Sequence, residues 1–126
     1  MPVRRIVNLK QRDQELSAEG DVAHFDEDRH HLTMRVNRLM SGVAWADEPA
    51  TRSRHLVSNV RVRAQDSELN VVSNFLVFHS RGETELLLYA GERHDVLTRV
   101  DGDLRISRRL IYPDQTVMPA NIGVFF

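Results

Sequence analysis

The chain contains no cysteine. That absence excludes disulfides, thiolate ligation of zinc or an iron–sulfur cluster by this chain, and thiol catalysis. Aromatic residues are scarce, at 6%, and the arginine runs are not interleaved with the stacking side chains that single-strand nucleic-acid binders use. Neither charge sign dominates: 17 Lys and Arg against 18 Asp and Glu leave a net charge of -1 with histidines neutral. A general phosphate-binding surface needs a clustered positive excess, so no nucleic-acid partner is expected. Lysine is nearly missing too, since every basic residue but Lys10 is arginine. The glycines are scattered and build no phosphate-cradling loop. No apolar run approaches the roughly 18 residues of a spanning helix. Met1–Asn8 has neither a long apolar stretch nor a small-residue cleavage site, so no membrane association and a cytoplasmic location are expected.

What is present fits one globular domain over residues 1–126, with 41% hydrophobic and 28% charged residues. Residues 1–25 are polar and weakly patterned, and Gln11–Gly20 reads as an exposed segment. Residues 26–42 predict an amphipathic helix, because Leu32, Val36, Leu39 and Met40 fall on one stripe. Asp26, Glu27 and Asp28 crowd its start, Arg35 and Arg38 lie near its end, and Gly42 is a plausible terminator.

From Arg54 onward the period changes to two. Leu56, Ser58, Val60 and Val62 alternate with Val57, Asn59, Arg61 and Arg63, as on a strand with one covered face. Further strand runs follow at Leu69–Phe78, Glu85–Val100 and Leu104–Tyr112, with Gly91 as a bulge or bend and Pro113 as a stop. Asp101-Gly102 is the strongest hairpin signal, a type I′ candidate. Four strands joined by short turns after a helix predict an α+β antiparallel meander with the helix packed on one sheet face.

Reactive constellations are thin. In His24–His31, Glu27, Asp28 and His31 could approach one another on a helix, yet one imidazole and two carboxylates fall short of a two-His-one-carboxylate iron triad. His79 and Tyr89 could face a cavity as acid–base groups, while alternation sends His94 and Asp95 to opposite faces. Arg108-Arg109 and the Arg61/Arg63 pair read as solvated strand faces or ion pairs to a partner. The connector from Ala44 to His55 carries Trp45, Arg52 and Arg54, residue types enriched at interface hot spots; Trp45 equally suits a staple to the core. The terminal Phe125-Phe126 should be tucked into a core or an interface.

Several stretches carry a family resemblance. They are Ala23–Asp28, Arg35–Leu39, Ala44–Pro49, Thr51–Val60, Ala90–Asp95 and Asn121–Phe126. Together they resemble the small (beta) subunit of bacterial aromatic-ring-hydroxylating dioxygenases of the biphenyl, benzene and phenylpropionate type. The resemblance implies a cystatin-like or NTF2-like cone, a curved antiparallel sheet around helices, with the family's N-terminal helical segment missing before Met1-Pro2. It also implies a non-catalytic, structural subunit in an assembly of three alpha and three beta chains. There the alpha chain would hold the Rieske [2Fe–2S] cluster, the mononuclear Fe(II) and the aromatic substrate, with electrons from NADH. No catalytic, cofactor or metal residue is then expected in this chain. Trp45, Arg52, Arg54, His55, Arg93 and Phe126 are the expected interface residues. The rival expectation is a stand-alone cone-fold isomerase or dehydratase working through a cavity acid–base group.

Overall fold

The computed structural model describes residues 1–41 and 51–118, apart from positions 6, 8 and 19. Four long strands dominate: β1 (Thr51–Gln65), β2 (Glu68–Arg81), β3 (Glu85–Val100) and β4 (Asp103–Pro113). They form one antiparallel sheet in the order β1-β2-β3-β4. Turn chemistry sets this meander. Asp101 and Gly102 take φ values of 53° and 89°, the two left-handed positions that a type I′ turn requires. Asp66 (φ 53°) and Gly82 (φ 60°) open the other two turns. The expected α+β class and strand order hold, and all four expected strand runs lie within β1 to β4.

One sheet face carries the core. Phe75, Val77 and Tyr89 are buried there, and Met1, Leu87, Ile111 and Met118 pack against them. Phe75 lies opposite Gly91, which lies opposite Pro113, and Val77 lies opposite Tyr89. This inner face therefore continues across three strands. Gly91 is not the expected bulge, because its register is regular on both sides. A Cβ there would sit 2.2 Å from the Tyr112 carbonyl oxygen and 2.9 Å from Phe75 Cζ. The glycine is needed for close approach of the Phe75 ring.

Within Gln11–Gly20, Gln11, Gln14, Ala18 and Gly20 are exposed as expected, but Leu16 and Ser17 turn inward. Pro2 bridges Ala23 and Arg4 bridges Leu16, both antiparallel. Ser17 is buried, and its hydroxyl accepts from the Val3 N–H at 2.9 Å. Arg4 donates to the Pro113 carbonyl at 2.6 Å and pairs with Glu15, tying this strap to the end of β4. A short 3₁₀ helix spans Leu9–Gln14.

The helix α1 runs Arg29–Met40, beginning three residues later than expected. Asp28 takes the N-cap, its carboxylate accepting from the His31 N–H at 2.9 Å, which satisfies an orphan donor of the first turn. The acidic residues thus precede the helix. The stripe of Leu32, Val36, Leu39 and Met40 remains exposed, and α1 buries no residue. Arg35 links α1 to the segment before it, stacking over Phe25 at 4.6 Å and donating to Glu27 at 2.7 Å. Gly42 lies outside the described residues.

Candidate functional site

Edge strand β1 decides which side chains the molecule presents. Thr51–Ser58 pair with Asn74–Arg81, but the register shifts between Ser58 and Arg61, so that two β1 residues oppose Ser73 alone. Asn59 takes φ 51° within this bulge, a left-handed position that asparagine tolerates better than most L-residues. The extra residue resets the alternation. Arg61 and Arg63 now lie opposite Val72 and Asn70, on the same outer face as Arg52, Arg54, Leu56 and Ser58. The uniform alternation expected from the sequence, which separated Leu56 from Arg61 and Arg63, is thereby corrected.

That outer face is a grid of cross-strand rows. Arg52, Ser80 and Leu86 form one row, Arg54, Phe78 and Leu88 the next, and Leu56, Leu76 and Ala90 the third. Leu56, Leu76, Leu86 and Leu88 are 54%, 37%, 57% and 50% exposed. Beyond them lies a polar zone. Arg61 donates to Glu92 at 3.2 Å, Glu92 is 2.5 Å from His94, and His94 packs edge-on against Tyr112 at 4.9 Å. Asn59, Val60, Arg61, Asn74 and Glu92 line an open depression of about 490 Å³.

Inner-face electrostatics centre on Asp95, which accepts two bonds of 2.7 Å from Arg109. This bidentate fork is the strong form of an arginine–carboxylate pair. Arg93, two residues along the same strand, lies 5.9 Å from the Phe75 ring centre. Burial first, and then Arg109, hold the Arg93 guanidinium below its usual range, while Asp95 works the other way. The Arg93 Nε has no hydrogen-bond partner among the described residues.

Of the expected interface residues, the structure brings Arg52 and Arg54 together on the outer face. It places His55 and Arg93 toward the inner face, opposite Val77 and Ser73 respectively. Trp45 and Phe126 lie outside the described residues. The three possible ligands near α1 are not gathered. Asp28 is engaged by His31 at 2.8 Å, but Glu27 turns to Arg35. Among the described residues no three His, Asp or Glu side chains meet as a metal site. His94 and Asp95 do point to opposite faces, one toward Glu92 and the other toward Arg109. Tyr89 is fully buried, and burial followed by Glu85 pushes its hydroxyl pKa up. Sequence reasoning missed the Asp95–Arg109 fork and the bulge. Asn59 inside a strand run was the available signal for the second; the first needed the β3–β4 register.

Comparison with known proteins covers the whole chain. The sequence model described as "Ring hydroxylating beta subunit" matches residues 1–120. The chain is 34% identical over its full length to the biphenyl 2,3-dioxygenase subunit beta of Rhodococcus jostii (strain RHA1), spanning 70% of that protein. It is 37% identical, with the same coverage, to the chlorobenzene dioxygenase subunit beta of Cupriavidus sp. (strain PS12). Among solved structures, a naphthalene 1,2-dioxygenase chain matches 99% of this chain with a TM-score of 0.84 at 18% identity, and 66% of that chain is covered. That likeness establishes the fold.

Proposed function

This chain belongs to the ring-hydroxylating beta-subunit family, and from that premise we propose that it is the non-catalytic subunit of an aromatic-ring-hydroxylating terminal oxygenase. The observation that carries the reading is the family match over residues 1–120. In this reading a large (alpha) subunit holds the Rieske cluster, the mononuclear iron and the aromatic substrate, and three copies of each chain assemble in the cytoplasm. The assembled enzyme inserts both atoms of dioxygen into the ring to give a cis-dihydrodiol, with electrons from NADH. This chain's own residues do not fit either metal group. It has no cysteine for the cluster, and its described histidines and carboxylates do not converge on one point. Its contribution is shape and surface, with Trp45, Arg52, Arg54, His55, Arg93 and Phe126 as contact or anchoring residues.

The rival acid–base enzyme finds little support in the geometry. Asp95 is occupied by Arg109, and Tyr89 is sealed in the core. His79, on the inner face opposite Ser53 and Leu87, has a buried Nδ1 with no hydrogen-bond partner among the described residues to complete an acid–base pair. Co-expression with a cognate large subunit, followed by mass measurement of the purified particle, tests the proposal. A stable mixed complex is expected; two subunits that purify separately would overturn it.

A further inference from the structure

Among the described residues β1 ends the sheet, with β2 as its sole neighbour. It is long for an edge, at 15 residues, and every one of them but Thr51 is exposed. No proline interrupts it, and its leucine, valines and threonine suit it to further pairing. Such an edge presents a row of backbone N–H and C=O groups to any strand that approaches. Its charge is wholly of one sign. Thr51–Gln65 carries Arg52, Arg54, Arg61 and Arg63 and no acidic residue. Arg61 turns to Glu92 on β3, whereas Arg52, Arg54 and Arg63 meet no carboxylate among the described residues. The bulge at Asn59 puts all four arginines on the outer face, so a strand added alongside would meet them in one line of side chains.

We propose that the open edge of β1 is a strand-pairing site for an acidic extended segment of a partner protein, and that its arginines close it to a second copy of this chain. Charge decides between the two occupants. Two copies of β1, paired antiparallel with outer face beside outer face and nearly full overlap, set Arg52 against Arg63 and Arg54 against Arg61. Like charges directly opposite destabilise a ladder. The strand at the other end of the sheet, β4, serves no better, because it brings Asp103 with Arg105, Arg108 and Arg109. Glu68 is exposed on the outer face, but it belongs to β2, whose backbone is already bonded to β1 and β3. The acids ahead of α1 are committed too, since Asp21, Glu27 and Asp28 pair with Arg5, Arg35 and His31. An acidic strand answers both needs of the edge. Its backbone extends the ladder, and its carboxylates make charge-assisted bonds to the arginines.

The test uses the full chain and, as the acidic strand, a copy of it bearing Arg52→Glu/Arg54→Glu/Arg63→Glu, which keeps the Arg61–Glu92 pair. Hydrogen exchange of the β1 amides reads strand pairing, and sedimentation reads stoichiometry. Wild type mixed with the triple variant in about 0.01 M salt should form a one-to-one pair. Exchange of the β1 amides that do not bond β2 should slow about tenfold or more. Raising the salt to about 1 M should undo both effects. Wild type alone should show no slowing. Circular dichroism confirms that the triple variant folds; if it does not, Arg52→Glu/Arg54→Glu supplies the same readout. Unprotected β1 amides in the mixture overturn the acidic-strand site. Protection of those amides in wild type alone overturns closure to a second copy. Equal protection by polyphosphate, an anion without a peptide backbone, overturns strand pairing and leaves a general anion surface.

Discussion

Asp95 and Arg109 form the most consequential pair of side chains on the inner face. The Asp95 side chain is only 10% exposed and Arg109 30%, so removing one partner strands a largely desolvated charge. Asp95→Ala should cost about 2 kcal/mol, below the range for a wholly buried pair because Arg109 still reaches water. Urea titration checks this; replacing both residues by leucine should cost less than the single change. Gly91 is a second fixed point. An added methyl would strike the Tyr112 carbonyl oxygen and the Phe75 ring, so Gly91→Ala should destabilise by about 3 kcal/mol through overpacking. Asn59 is the third. Its positive φ makes Asn59→Gly close to neutral, whereas Asn59→Val should cost about 1–2 kcal/mol. Equal melting temperatures for these two variants would remove the left-handed bulge from the account.

At the scale of elements, α1 depends on its cap more than on its stripe. The His31 backbone N–H, and then the His31 side chain, hold the Asp28 carboxyl below its ordinary value. A depressed folded-state pKa gives stability that is present above the unfolded value and lost as pH falls through the folded one. Helical ellipticity at 222 nm should therefore decline on acidification through and below the ordinary aspartate range, near 3.9. Asp28→Ala should remove that acid-sensitive step and lower the helix content already at neutral pH. The strands were legible because period two and short polar turns both pointed to them, Asp101-Gly102 most clearly. The bulge was not, since Leu56, Ser58, Val60 and Val62 continue the alternation straight through it, leaving Asn59 as the lone irregular residue. The N-terminal strap was hidden for another reason: Arg4 meets Pro113 across 109 positions, and no local pattern encodes such a contact. The helix stripe was read correctly as a pattern, yet none of its residues is buried.

The molecule as a whole is a sheet whose core fills only part of one face. Its inner side buries Phe75, Val77 and Tyr89 but leaves Val57, Val62, Leu104 and Ile106 exposed, and the outer side and α1 expose further apolar residues. An isolated chain with that surface should bind the hydrophobic dye ANS strongly, and binding should drop when the large subunit is added. Family membership was readable from whole stretches of sequence, but how the expected interface residues divide between the two sheet faces was not. Alternation alone parts neighbours such as Arg54 and His55, but which of them faces the core follows only from the register, where His55 lies opposite Val77. The central claim is that this chain contributes surfaces and no reacting group. Oxygen uptake with an aromatic substrate, NADH and the electron-transfer components tests it most directly, measured on the isolated chain and on the complex with the large subunit. The account predicts uptake by the complex and none by the chain alone; turnover by the isolated chain would contradict it.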